Sequence, residues 1–310
     1  MNTMSPDSRI HVAGHTGMVG AAIVRKLRSA GFDNLILRTH AELDLTDQHA
    51  VDQFYADAHP EFVFLAAARV GGILANSTYP AEFIRDNLAI QSNVIHSAWK
   101  HGARKLLFLG SSCIYPRDCP QPIHEDYLLT GPLEPTNEWY AVAKIAGLKM
   151  CQAYRRQYGF DAICAMPTNL YGPGDNYHPE NSHVVPALIR RLHEAKEHGD
   201  AQVIIWGTGN PLREFLHVDD LADALLVLMH KYSDGGIVNV GSNQELSITH
   251  LAQMLADAVG FHGSLIFDPS KPDGTPRKRL DSSKLHTIGW KPHITLKDGL
   301  RNTYAQFTSH

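Results

Sequence analysis

The chain has 310 residues, 44% hydrophobic and 19% charged, enough apolar side chains for a large core in one domain or two coupled ones. Its formal charge of -4 offers no general attraction to nucleic acid or anionic lipid, so any bound anion must be held by a local cluster. Cys113, Cys119, Cys151 and Cys164 show no CxxC spacing and the 19 histidines are dispersed, which points away from a metal site and from a disulfide framework.

Met1–Arg9 is short and polar, without an apolar signal region. No run approaches the roughly 18 apolar residues of a membrane span, so a soluble, cytoplasmic chain is expected. Arg9–Ala13 predicts a strand, the glycines that follow a turn, and Met18–Ala30 a helix. The alternation continues with strand 35–37, helix 48–58, strand 62–67, helix 81–101, strand 105–109, helix 140–158 and strand 162–166. This order predicts an α/β fold, a doubly wound parallel sheet of Rossmann type with helices on both faces. After Tyr171 the texture changes. Turn residues crowd Gly172–Asn176, followed by helix 184–198, strand 202–206, helix 219–232 and strand 238–240. The expected division is a dinucleotide-binding domain over 1–171 and 215–241, and a smaller α/β substrate domain over 172–214 and 242–310, packed over the sheet's carboxyl edge.

Gly14-His15-Thr16-Gly17-Met18-Val19-Gly20 lies between the first strand and first helix. Glycines there permit a tight turn and close approach of backbone to a pyrophosphate, while the helix N-terminus offers free N–H groups. The same spacing also serves a ligand-free turn. At the end of the second strand, where an acidic residue would hold a ribose 2′-hydroxyl, the chain reads Leu37-Arg38-Thr39-His40. A basic residue suits a 2′-phosphate, so NADPH is favoured over NADH.

Tyr140-Ala141-Val142-Ala143-Lys144 sets a phenol and an ammonium on one helix face. The ammonium is expected to lower the phenol's pKa and make it a proton donor to a carbonyl. Upstream, Leu107–Cys113 puts Ser111 at the carboxyl end of a strand, where doubly wound folds bind ligands. Ser111, Tyr140 and Lys144 in this order resemble the extended short-chain dehydrogenase/reductase family. That resemblance implies that Ser111 orients the substrate oxygen, Tyr140 is the acid/base and Lys144 is its partner.

Within that family, four stretches are similar to the epimerase-reductases that make GDP-L-fucose: Gly110–Pro116, Pro167–Pro173, Asn181–Val184 and Lys271–Lys278. The Glu that dehydratases use at C5 is replaced by Cys113. The resemblance implies GDP-4-keto-6-deoxy-D-mannose as substrate, with Cys113 and His183 exchanging protons at C3 and C5 before reduction at C4. Strand alternation is expected to turn Cys113 to the same side as Ser111. The implied cofactor site comprises Gly14, His15, Thr16, Gly17, Met18, Val19, Gly20, Arg38, His40, Leu109, Gly110, Lys144, Pro167, Asn169, Leu170 and His183. Arg191, Trp206, Arg213 and Asp273 are implied to hold the GDP portion, with Lys278 a weaker candidate. Arg190-Arg191 also fits a solvated helix face, and Glu214 is a candidate ion-pair partner for Arg213. The same likeness implies a homodimer through the helices 81–101 and 140–158, whose apolar stripes are equally explained by packing on the sheet. Some family members carry arginine where this chain has Thr16 and His40. Competing readings are another GDP- or UDP-sugar epimerase or reductase of this fold, and a redox-sensing binding protein without chemistry.

Overall fold

The computed structural model describes residues 3–179, 182–271 and 273–309. In chain order its elements are β1 (Ile10–Ala13), α1 (Met18–Ser29), β2 (Leu35–Ile36), α2 (Gln48–Ala58), β3 (Phe62–Leu65), α3 (Ile73–Thr78), α4 (Pro80–Lys100) and β4 (Lys105–Leu109). There follow α5 (Glu138–Tyr158), β5 (Asp161–Pro167), β6 (Asn169–Tyr171), α6 (Val184–His198), β7 (Gln202–Trp206), β8 (Leu212–His217) and α7 (Val218–Lys231). The last are β9 (Ile237–Val240), β10 (Glu245–Ser247), α8 (Ile248–Val259), β11 (Ser264–Asp268), β12 (Arg277–Lys278), α9 (Ser283–Thr287) and α10 (Leu296–Phe307).

A six-stranded sheet runs in the order β2-β1-β3-β4-β5-β9, with every pairing parallel. Its inner strands are buried along their whole length, which is why they read as short apolar runs without alternation. One core cluster packs α1 and α7 on one face of the sheet, and another packs α2, α4 and α5 on the other. The helix ends follow local chemistry. Asp47 caps α2 by accepting from the N–H groups of His49 and Ala50. Gly159 and Gly199 close α5 and α6 in the left-handed conformation, at φ 68° and 72°.

The C-terminal half adds a second body. There β8 joins β10, β12 and β6, β7 pairs with β11, and α6, α8 and α10 share a third core cluster. β6, β8 and α8 carry no counterpart among the predicted elements, and the expected boundary between residues 214 and 215 falls inside β8.

The two bodies meet at Glu214 on β8, which has no exposed surface. Its carboxylate accepts from the N–H groups of Leu280 (2.8 Å) and Asn243 (2.6 Å). Its backbone oxygen accepts from Thr168 and Asn169, just beyond β5. The expected Arg213–Glu214 ion pair is not formed. Adjacent strand residues face opposite ways, and Arg213 instead donates to the carbonyls of Leu212 and Asp273. Burial pushes the Glu214 pKa up and the N–H donors pull it back. Glu214→Gln turns one acceptor into an NH₂ facing those donors. It is expected to lower stability by about 1–3 kcal/mol, read as an earlier urea midpoint at unchanged slope.

Candidate active site

The chain runs from β1 out to β2 and then crosses back past β1 to β3, so the strand order reverses beside β1 and a crevice opens at the carboxyl ends of β1 and β3. The glycine turn fills it. Gly14 has φ +84°, and a Cβ there would lie 2.7 Å from the Cα of Ala67, beyond β3. A Cβ on Gly20 would overlap the carbonyl oxygen of Gly14. Gly17 precedes α1 without a side-chain cap, so the first-turn N–H groups stay free for an anion. His15 Nδ1 is buried without a partner, while Thr16 is exposed and Met18 and Val19 are half-buried. The Arg38 guanidinium lies over the Phe54 ring at 5.7 Å. His40 is exposed, with Nδ1 3.8 Å from Asp44. Leu109 and Gly110 end β4, where the Gly110 N–H donates to Ala165 O at 2.9 Å. Pro167 ends β5, Asn169 Nδ2 donates to Glu214 O at 2.8 Å, and Leu170 packs on the first core cluster.

Beyond Gly110 the strand does not persist, so alternation is not what brings Ser111 and Cys113 together. Ser112–Ile114 is a single 3₁₀ turn, and Ser111 Oγ caps it by accepting from the Cys113 N–H at 3.3 Å. Lys144 is buried in α5, donates to Leu109 O at 2.8 Å and lies 5.7 Å from the Tyr140 ring centre. Burial lowers the Lys144 pKa to about 8. Burial also raises the Tyr140 phenol, with Cys113 adding to it. The expected lowering of the phenol by Lys144 is therefore absent, because the ammonium is turned to a carbonyl and desolvation dominates.

Cys113 is buried. Burial pushes its thiol up, and Lys278, Ser111 and Lys144 pull it back, Lys278 most strongly. His183 precedes α6 and reaches solvent, but surrounding atoms and then Lys278 hold its imidazole below the ordinary value. Asn181, grouped with it in sequence, lies outside the described residues, as does Pro272.

On the far wall, the Arg191 guanidinium stacks over Trp206 at 5.0 Å, and Lys271 Nζ approaches the same ring at 5.5 Å. Arg190 takes the solvated role by pairing with Glu194. Asp273 accepts from the N–H of Thr208 (2.7 Å) and its hydroxyl (2.8 Å), so its carboxylate is committed to the chain while its carbonyl meets Arg213. Sequence reasoning missed Glu134 and Asn137. Both line the crevice holding Cys113 and Lys278, and Asn137 Oδ1 is buried without a partner. Their one sequence signal is a position just before the Tyr140 helix. Among the described residues, no cluster of His, Cys, Asp or Glu could hold a metal ion.

The family model described as "NAD dependent epimerase/dehydratase family" matches residues 10–241. The chain belongs to that family. Among its relatives, a putative GDP-L-fucose synthase 2 of Arabidopsis thaliana is 64% identical over 98% of this chain and 93% of its own length. The GDP-L-fucose synthase of Escherichia coli K12 is 53% identical over 96% of each chain. In structure, a GDP-mannoheptose C4 reductase from Campylobacter jejuni with NADP bound superposes at a TM-score of 0.91, with 40% identity, covering 98% of this chain and 99% of that one. This epimerase-family crevice has a pH signature. Lys144 is charged below its lowered pKa of about 8 and neutral above it, so kcat/KM for reduction is expected to fall as pH rises through about 8. Lys144→Arg, whose cation does not titrate in that range, is expected to remove this limb from the pH–rate profile.

Proposed function

We propose that this chain is an NADPH-dependent enzyme that epimerises GDP-4-keto-6-deoxy-D-mannose at C3 and C5 and reduces it at C4, yielding GDP-L-fucose. The observation that carries the reading is the meeting, in one crevice wall, of the Ser111–Tyr140–Lys144 set with Cys113. A simple reductase has no need of a thiol beside its carbonyl site. The identity to GDP-L-fucose synthases across nearly the whole chain supports it.

The residues fit the cofactor. Gly14, Gly17 and Gly20 leave the room that a Cβ would fill, the uncapped start of α1 suits a pyrophosphate, and Arg38 supplies a cation at the end of β2. Bound there, NADPH supplies a hydride to C4. Ser111 orients the 4-oxygen, and Tyr140 gives it a proton as its charge develops. Lys144 holds the phenol's surroundings cationic. The 4-ketone acidifies the protons on C3 and C5, Cys113 removes them, and His183 returns a proton from the other face. Arg191, Arg213 and Lys271 present cations to the diphosphate, and Trp206 offers a flat face to the guanine or sugar.

The division into a dinucleotide unit on the six-stranded sheet and a substrate unit around the third core cluster belongs to the same reading. So does a homodimer through α4 and α5, which pack together and leave Leu88, Trp139, Val142 and Tyr158 exposed. A cytoplasmic setting is supported by the unpaired thiols, and among the described residues no helix is long and apolar enough to cross a membrane.

The test is incubation with GDP-4-keto-6-deoxymannose and NADPH in D₂O. The wild type is expected to release GDP-L-fucose labelled at C3 and C5. Tyr140→Phe should keep NADPH binding but lose about 100- to 10,000-fold in kcat for reduction. Cys113→Ser, whose hydroxyl is no base near neutral pH, should lose most of the label and release an unepimerised 6-deoxyhexose. Normal labelling and normal GDP-L-fucose from Cys113→Ser would return the chain to the simple C4 reductases, of which the Campylobacter enzyme is a solved example.

A further inference from the structure

The molecule buries its lysine ammonium groups in different ways. Lys105 donates to the carbonyls of Leu228, Met229 and Tyr232 at the end of α7, so its charge is satisfied by a helix C-terminus. Lys144 has the Leu109 carbonyl. The Lys278 side chain is half-buried, and among the described residues its ammonium has no hydrogen-bond acceptor and no ion-pair partner. A cation left uncommitted at a crevice wall is available to an anion that forms beside it.

The fold decides which anion. β12 is only Arg277–Lys278, paired in parallel with β8 so that Lys278 stands opposite Arg213. Arg277, its neighbour, is held in an ion pair with Glu245. Lys278 lines the same crevice as Cys113, Glu134 and Asn137, as Arg277 does too. Within that crevice Cys113 also faces Ser111 from its own turn and Tyr140 and Lys144 from α5. Lys278 faces Arg213 from β8 and Glu134 from the loop before α5. His183, at the start of α6, feels the same Lys278 charge. Lys144 is already turned to a backbone carbonyl, and Glu134 is engaged with Thr136 and Arg117.

We propose that Lys278 is the positioning residue for proton exchange, the cation against which the Cys113 thiolate forms. This rests on the epimerase reading above. The thiolate takes the proton from C3 or C5, the C–H electron pair moves into the carbon–carbon bond, and the 4-oxygen carries the charge. His183, once protonated, returns a proton to the opposite face of the same carbon. Transfer from the Cys113 thiol to the imidazole then restores thiolate and acid, with no net change of protons. Lys278 makes and breaks no bond.

The test reads the thiolate directly, as the ultraviolet difference between each protein and its Cys113→Ser counterpart across a pH titration of the full-length enzyme. Lys278→Met is expected to move the Cys113 midpoint to higher pH. A midpoint higher by about one pH unit leaves about tenfold less thiolate at pH 7, and deuterium entry at C3 and C5 should slow in the same proportion. Lys278→Arg should restore both, and NADPH affinity, which also reports folding, should stay within about twofold of wild type in either variant. An unchanged midpoint in Lys278→Met with normal wild-type labelling overturns the assignment. An unchanged midpoint with a raised KM for the GDP-sugar gives Lys278 to the diphosphate and overturns it equally. Absence of label from the wild type overturns the epimerase reading itself, whatever the midpoint does.

Discussion

The carboxylate of Glu214 is the constraint on which the arrangement of the molecule depends. It sits between the end of β5 and the sheet built on β8, and it has no access to water. One side chain satisfies backbone N–H groups from the segment after β9 and from the residue two beyond β12. Its own carbonyl receives donors from the end of β5. Such a buried hub stands only if each donor and acceptor is in place, because an orphaned buried polar group costs more than a made hydrogen bond contributes net. Chain segments distant in sequence are thereby brought to one seam, and the crevice lies along it.

Which side of the seam a residue comes from divides the chemistry. Ser111, Tyr140 and Lys144 stand on β4 and α5, so their spacing is set by the parallel sheet and the helix packed on it. Lys278, Arg213 and His183 stand on the second body. Cys113 belongs to the first wall by covalent connection and to the second by its surroundings. In the proposed reaction, carbonyl reduction is organised by the sheet alone, while proton exchange at the flanking carbons needs both walls in register.

The first half of the fold was legible because its strands are buried on both faces and its helices end at glycines or begin at a capping Asp. Each of those signals is local. β6, β8, β10 and β12 were not legible. β6, β10 and β12 are two or three residues long, β8 is longer and largely buried, and all are defined by partners far along the chain, as in the pairing of Lys278 with Arg213. α8 carried a signal, with Leu251, Ala252, Leu255, Ala256 and Val259 on one face, but lay in a stretch that read as loops and short elements. In the site, Ser111, Tyr140 and Lys144 were readable because their spacing encodes contact through one strand end and one helix face. The position of Cys113 was inferred from strand alternation, whereas the structure achieves it with a 3₁₀ turn. Glu134, Asn137 and the partnerless state of Lys278 depend on which distant segments meet at the seam, which only the assembled fold decides.

Trp206 lies on a two-stranded sheet at the molecule's edge, still 54% exposed, with a guanidinium on its ring and an ammonium close by. Indole emission responds to charge and to water near the ring, and among the four tryptophans of the chain this one combines solvent access with two neighbouring cations. A nucleotide that draws Arg191 and Lys271 toward its phosphates would lift positive charge off the indole and shield it from solvent together. If Trp206 stands at the nucleotide, as proposed, its emission is an optical gauge by which docking can be followed separately from turnover.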